Sequence, residues 1–133
     1  MWRVAIQTVT LSVFRFGSPA ARLWAFAQMG AARLSFANMA DVGFWKLCGS
    51  GIDEGFTPIP NTAVWAILAT WPSEEAARHR VAAEPVYRRW RKRAEENYTL
   101  YLSPAAVRGR WSGTDPFTVE DRSLPGPVAA LTR

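Results

Sequence analysis

The side chains that could do acid–base, nucleophilic or metal chemistry are few in this sequence and do not cluster. His79 is the only histidine and Cys48 the only cysteine. His79 stands between Arg78 and Arg80, whose charges disfavour binding a cation, so we expect a surface residue; an axial haem ligand is the alternative. Cys48 has no base beside it, and we expect a small apolar strand residue rather than a nucleophile or ligand. The sequence predicts no metal site and leaves the catalytic residues unassigned.

A shaped loop between two predicted strands is the position in this sequence best suited to a ligand. Residues 49–61 carry three glycines at their start and two prolines near their end. Glycine permits positive φ and proline fixes φ, so this connection has a defined shape. Asp53 and Glu54 are either solvated charges or, for Glu54, a ligand contact or a partner that orients Lys46. No helix N-terminus follows the glycines, so they do not form a phosphate loop.

The two strands that flank this loop are predicted from alternating side chains. Residues 43–50 place Trp45 and Leu47 on one face. Residues 62–71 alternate more regularly, with five apolar side chains on one face, namely Ala63, Trp65, Ile67, Ala69 and Trp71. The other face of this second strand is nearly as apolar, which predicts a strand that is covered on both sides.

The remaining chain predicts two more strands and two helical regions. Residues 4–16 form a strand with a bulge near Gln7, or a core strand over residues 8–16 alone. Ser18 and Pro19 begin a helix over residues 20–34. Its predicted buried stripe has the spacing of one helix face and consists of Leu23, Phe26, Ala27, Gly30 and Leu34. A second helix follows Ser73, is broken at Pro85, resumes over residues 86–96 and leads into a strand over residues 98–102.

This order of elements predicts an α+β, ferredoxin-like βαββαβ fold, with a four-stranded antiparallel sheet and helices on one face. Residues 1–112 form that domain, and residues 113–133 are a tail or the start of a truncated second repeat. One sheet face then lacks a cover. We place the tryptophan-bearing side on that open face and expect a second unit to close it, which leaves an apolar slot for a ligand.

Composition limits the classes of protein that fit. The 133 residues are 49% hydrophobic and include seven tryptophans, which excludes a disordered chain. No apolar run is long enough to span a bilayer, and the sequence predicts a cytoplasmic protein that associates with the inner face of the membrane. Seven of sixteen cations fall within residues 78–93. They form a solvated face, a lipid-headgroup face that includes Tyr87 and Trp90, or an RNA-binding face.

Five blocks of this sequence resemble a known family. They are TVTLSVFRF (8–16), RLWAFAQMG (22–30), GFWKLCGSG (43–51), EGFTPIPNTAVWAILATW (54–71) and LSPAAVRGRWSG (102–113). Together they resemble the spheroidene monooxygenases of bacterial carotenoid biosynthesis. Members of that family continue well beyond this length, so the chain is similar to their amino-terminal part.

The resemblance implies an O₂-dependent oxygenase that converts spheroidene to spheroidenone by adding a keto group at C-2. It also implies haem as a cofactor, and a dimeric α+β barrel-like assembly in which a homodimer, or a second repeat, closes the open sheet. No nucleic-acid partner is expected on this interpretation. The alternatives are a non-catalytic ferredoxin-like module that binds a hydrophobic ligand and a basic RNA-binding domain of the same fold.

A carotenoid is a long apolar polyene, so its site needs an aromatic-lined groove. The expected substrate-binding residues are Trp45, Phe56, Trp65 and Trp71. Lys46 and Arg110 are the expected cofactor-binding residues, as partners for a haem propionate or for a polar end of a ligand.

Overall fold

The computed structural model describes residues 7–52, 60–119 and 126–130. Its elements are β1 Thr8–Arg15, α1 Pro19–Ala37, β2 Trp45–Gly51, β3 Pro60–Trp71, α2 Glu74–Ala83, α3 Pro85–Arg93 and β4 Glu96–Leu102. The strands form one antiparallel sheet in the order β2–β3–β1–β4. This architecture confirms the predicted α+β, ferredoxin-like fold.

Local sequence sets the helix boundaries close to their predicted positions. The hydroxyl of Ser18 accepts a hydrogen bond of 3.1 Å from a backbone N–H of the first turn of α1, and Pro19 opens that turn. Ser73 caps α2 in the same way, also at 3.1 Å. Pro85 separates α2 from α3, because its ring cannot continue the first helix and suits the first turn of the second.

The tryptophan-bearing side of the sheet faces the helices, and the prediction that this side is open was wrong. Trp65 and Trp71 on β3 are 7% and 1% exposed and belong to the hydrophobic core. Trp45 on β2 is half-buried and packs against the same core. Alternation correctly predicted which residues share a face. It could not predict which face the helices cover, since β3 is apolar on both.

The buried stripe of α1 also differs from the predicted one. Ala25, Ala32 and Phe36 are the buried residues of this helix. Leu23, Phe26 and Leu34 are instead 71%, 66% and 72% exposed, and Ala27 and Gly30 are exposed with them. Alanine lets the helix approach a floor of bulky aromatic side chains without overlap, so the small residues face inward.

The opposite face of the sheet, which we call the open face, is covered only in part. Its middle consists of half-buried apolar side chains, namely Leu11, Val13, Val64, Ala66 and Leu100. The chain after β4 covers one end, where the Phe44 ring lies 5.9 Å from Trp111 and 6.4 Å from Phe117 between centroids. The predicted division of the chain at residue 112 stays a prediction.

Candidate active site

Aromatic rings fill the space between the helices and the sheet. Trp90 of α3 is at the centre of a first group, with ring centroids 5.1 Å from Phe14, 6.0 Å from Phe16 and 6.2 Å from Trp24. The angles between these planes are 67–69°, an edge-to-face arrangement that favours the aromatic quadrupoles. This interior is apolar and has a defined geometry.

A second group of rings lies beside the first. The Tyr87 ring is 5.7 Å from Phe36 and 6.5 Å from Trp71 between centroids. Phe36 in turn stacks on Trp45 at 5.5 Å with an interplanar angle of 24°. Two of the predicted substrate-binding tryptophans, Trp45 and Trp71, therefore contact one aromatic group beneath the helices.

The floor of this interior carries hydroxyl groups from β1. Thr10 and Ser12 are fully buried on the side that faces the helices. The indole Nε1 of Trp71 donates a hydrogen bond of 2.8 Å to Thr10 Oγ1. Ser12 Oγ and Thr99 Oγ1 are 2.9 Å apart and form a second hydrogen bond. The strand thus presents polar atoms inside an otherwise aromatic core.

Two polar atoms above this floor make no hydrogen bond of full geometry to a described residue, namely Tyr87 Oη and Trp90 Nε1. Both side chains are fully buried, and the Thr10 hydroxyl is the polar group beside Tyr87. An unsatisfied buried donor costs about 1–3 kcal/mol of stability. Such groups are rare in native proteins and often indicate a bound water, a ligand or a catalytic role. Tyr87 and Trp90 are therefore the strongest candidates for polar contacts to a ligand in this interior.

The electrostatic surroundings keep Tyr87 in its protonated form. Burial raises the pKa of Tyr87 strongly, and the nearby Thr10 hydroxyl lowers it by less. The side chain is accordingly an O–H donor throughout the physiological pH range.

Tyr87→Phe is expected to change the alkaline stability of the protein. Because the folded-state pKa of Tyr87 lies above the value of about 10 for a free tyrosine, its contribution is fully present below pH 10 and is lost as pH rises further. One such group makes the free energy of unfolding fall by about 1.4 kcal/mol per pH unit above that value. Urea unfolding between pH 9 and 11 should show a shallower decline for Tyr87→Phe, and an identical decline would contradict the assignment.

The predicted site residues do not form a single cluster. Trp65 is on the helix-covered side with Trp45 and Trp71, and its Nε1 donates to Thr62 O at 2.8 Å. Its ring meets the exposed Phe26 edge-on, with centroids 6.4 Å apart. Phe56 lies outside the described residues.

Lys46 belongs to the open-face side of the sheet, away from these tryptophans. Lys46 Nζ lies 5.7 Å from the centroid of the Phe44 ring. Trp111, next to Arg110 in the chain, contacts the same ring. Arg110 is exposed and Lys46 half-buried. Their predicted role in cofactor binding stays a prediction.

The described residues do not fit a haem site. His79 is exposed on α2, as predicted. Cys48 is half-buried on the open face, and burial raises the pKa of its thiol more than Lys46 lowers it, which disfavours the thiolate that would bind iron. Within residues 7–52, 60–119 and 126–130, no three metal-ligating side chains come together.

Sequence reasoning missed the importance of Tyr87 and Trp90. One of the three alternatives predicted for residues 78–93 places both on a lipid-headgroup face, yet both are fully buried. The useful signal was the spacing of Val86 and Trp90, which defines the inner side of α3 and places Tyr87 next to it.

Comparison with known proteins confirms the predicted resemblance. The chain is 50% identical over 129 residues to spheroidene monooxygenase of Cereibacter sphaeroides, a match that covers 96% of this chain and 40% of that protein. It is 45% identical over 131 residues to the spheroidene monooxygenase of Rhodobacter capsulatus, which covers 96% of this chain and 54% of the relative. The chain thus spans about half the length, or less, of these relatives. No family model matches the chain.

Solved structures agree on the fold. SnoaB of Streptomyces nogalater, described as a cofactor-independent oxygenase, superposes with a TM-score of 0.51 at 18% identity, covering 77% of this chain and 97% of SnoaB. A dimeric ferredoxin-like protein of unknown function from Thermobifida fusca gives a TM-score of 0.53 at 12% identity, with coverages of 78% and 96%. At these identities the likeness supports the ferredoxin-like architecture alone.

Proposed function

We propose, from its match to spheroidene monooxygenases along almost the whole chain, that this chain forms the ferredoxin-like part of an O₂-dependent carotenoid monooxygenase. The reaction is the conversion of spheroidene to spheroidenone by formation of a keto group at C-2. The observation that carries this proposal is the 50% identity over 96% of the chain. Substrate, product and use of O₂ are all part of the proposal, since the chain spans less than the whole of each relative.

On this proposal, the polyene lies along the edge of the helix-covered side of the sheet, because aromatic rings fill the interior of that side. Trp45, Trp65 and Trp71 share that side, and Phe56, which is outside the described residues, is the fourth predicted contact. The ligand meets this side at the edge of Trp65, where the exposed Phe26 contacts the indole edge-on. Gly49 of β2 lies beside the same ring, since a Cβ at this position would be in van der Waals contact with it at 3.5 Å. An aromatic surface of this kind suits a planar apolar chain.

Tyr87 and Trp90 supply the polar part of the same site. Trp90 Nε1 makes no hydrogen bond to a described residue, and Tyr87 Oη has the Thr10 hydroxyl beside it. The interaction of a buried donor with a developing negative charge is stronger than it would be in water, because the surroundings have a low dielectric constant. We assign to these two groups the binding of an oxygen atom, whether of O₂ or of the new carbonyl. Both donors stay protonated at the pH of the reaction.

Haem, which the resemblance implies as a cofactor, is not part of the proposed function. Among the described residues, His79 is exposed on α2, and burial raises the pKa of the Cys48 thiol, which disfavours the thiolate that would bind iron. On this proposal, Lys46 and Arg110 have a different task, since each cation can pair with a carboxylate of a ligand.

The open face supports self-association as part of this proposal. Leu11, Val13 and Ala66 are half-buried apolar residues at its centre. A second copy of the chain would remove them from water, which is favourable by about 25 cal/mol per Å² of apolar area. The Thermobifida fusca protein of the same fold is described as dimeric.

A chimaeric enzyme tests the proposed reaction. These 133 residues replace the matching part of the Cereibacter sphaeroides relative, and the chimaera is expressed in cells that accumulate spheroidene. Extracted pigments are then separated by chromatography. We expect spheroidenone from the chimaera. Tyr87→Phe and Trp90→Phe should each lower its yield at least tenfold while the chimaera stays folded, because each removes a buried donor.

The control variant is Tyr98→Phe, which removes the hydroxyl of an exposed tyrosine on β4. It should leave the yield unchanged. Unaltered yields for both interior variants would reject their assigned role. Pigment that co-purifies without conversion, in a folded chimaera, would favour the non-catalytic module that binds a hydrophobic ligand.

A further inference from the structure

The outward side of α1 is apolar, although nothing in the described chain covers it. Leu23, Phe26 and Leu34 are 66–72% exposed, and Ala27 and Gly30 complete the stripe. At roughly 100° per residue, these positions lie opposite the buried Ala25 and Ala32. The helix is therefore apolar on two opposite sides, of which only one contacts the core.

Arginines border this stripe along one edge. Arg22 and Arg33 are exposed and lie roughly 90° around the helix from Leu23 and Leu34. Arg22 Nε donates to Phe16 O at 3.2 Å, and Arg33 Nε donates to Met29 O at 2.9 Å. These bonds hold both guanidinium groups beside the apolar stripe.

α3 supplies cations along the other edge. The Arg93 guanidinium carbon lies 4.7 Å from the centroid of the Trp24 ring, and Arg89 reaches Ser35 Oγ at 3.4 Å. Arg88 and Lys92 are exposed and project from the side of α3 opposite its buried residues. The outer surfaces of the two helices together form an apolar stripe with positive charge on both edges.

This charge is not compensated within the described residues. Neither α1 nor α3 contains an acidic residue. The ion pairs in this part of the chain join Arg15 to Glu96, Arg78 to Glu74, and Arg80 to both Asp41 and Glu84. α2 thus neutralises its arginines locally, whereas α1 and α3 leave theirs available to an external anion.

We propose that the α1–α3 face binds the surface of an anionic lipid bilayer. An amphipathic surface helix with apolar side chains outward and arginine at its borders fits the boundary between headgroups and acyl chains. The arginines and lysine of α3 fit the phosphate groups of the same leaflet. No helix among the described residues is both long and apolar enough to cross a bilayer. A carotenoid dissolved in that leaflet would meet Phe26 beside Trp65, a link that rests on the proposed function.

Vesicle co-sedimentation tests this surface independently of any activity. The purified chain is mixed with phosphatidylcholine vesicles and with vesicles that contain one quarter phosphatidylglycerol. We expect binding to the second set that weakens as salt rises. Leu23→Ser/Leu34→Ser should lower the partition coefficient at least tenfold, because the apolar contact is lost. Arg88→Gln/Lys92→Gln should lower it roughly fivefold per charge, with a weaker dependence on salt.

Tyr98→Ser, which alters a residue 66% exposed on β4, is the matched control and should bind like the unaltered chain. Circular dichroism verifies that each variant is folded. Equal binding to both kinds of vesicle, or no effect of the serine variants, would overturn the proposal. Loss of a dimer in the Leu23→Ser/Leu34→Ser variant, without vesicle binding by the unaltered chain, would assign the stripe to a second copy instead. RNA binding without vesicle binding would reject the lipid surface as well.

Discussion

Trp90→Ala is expected to lower the free energy of unfolding by about 3–5 kcal/mol, the range observed when a buried tryptophan is truncated. Trp90 is fully buried and touches rings from β1 and α1. Its removal leaves a void that these elements cannot fill, because Phe14 and Trp24 are fixed by their own strand and helix. A small domain has only about 5–15 kcal/mol of stability, so this variant should be partly unfolded at 37 °C.

Urea unfolding followed by circular dichroism measures this effect. Trp111→Ala provides a matched control, since Trp111 is half-buried on the segment that crosses the open face. We expect that control to lose about 1 kcal/mol, in line with partial burial. Trp90→Phe keeps most of the ring contacts and should stay folded. A loss below about 1 kcal/mol for Trp90→Ala would contradict the central place of this residue in the core.

Features determined by neighbouring residues were predictable from the sequence. Ser18 with Pro19, and Ser73 before two glutamates, cap helices through bonds to their own first turns. Pro85 ends the preceding helix, because a proline ring clashes with the turn before it and has no N–H to donate. Alternation along β3 also assigned Trp65 and Trp71 to a common face. These local signals were sufficient to predict the order of elements, and with it the ferredoxin-like sheet.

Features determined by tertiary packing were not predictable in the same way. Which face of β3 the helices cover depends on how close α1 can approach, and the alanines of α1 decide this. Hydropathy favoured Leu23 and Leu34 as buried residues, because leucine is more apolar than alanine. In the structure, bulky rings from the sheet fill much of the interior, so the middle of α1 packs against them through Ala25 and Ala32, and only its end adds a buried ring, Phe36.

The candidate site was predicted only in part for the same reason. Trp45, Trp65 and Trp71 do lie on one side of the sheet, but beneath helices rather than on an open face. Lys46 comes from the opposite side of the same strand as Trp45, since successive residues of a strand alternate. The donors of Tyr87 and Trp90 stand out only when hydrogen-bond partners are sought in three dimensions.

Ala66→Arg is expected to abolish self-association through the open face. Ala66 lies at the centre of that face, between Val13 of β1 and Cys48 of β2. Its side chain is half-buried, so an isolated chain can direct the arginine into water and remain folded. Inside a sheet-to-sheet interface the guanidinium would be buried without a partner, which costs several kcal/mol. A cost of about 3 kcal/mol weakens a dimer more than a hundredfold.

Light scattering coupled to size-exclusion chromatography distinguishes a monomer from a dimer at micromolar concentration. The unaltered chain should elute with twice the mass of one copy, and Ala66→Arg with the mass of one. Leu23→Ser alters the opposite surface of the molecule and should keep the dimer, which separates the interface from a general effect of surface substitution. A dimer that persists in Ala66→Arg would mean that the copies meet elsewhere. If the unaltered chain is a monomer, the prediction of self-association is wrong. The apolar centre of the open face then stays in water, although burial is favoured by roughly 25 cal/mol per Å².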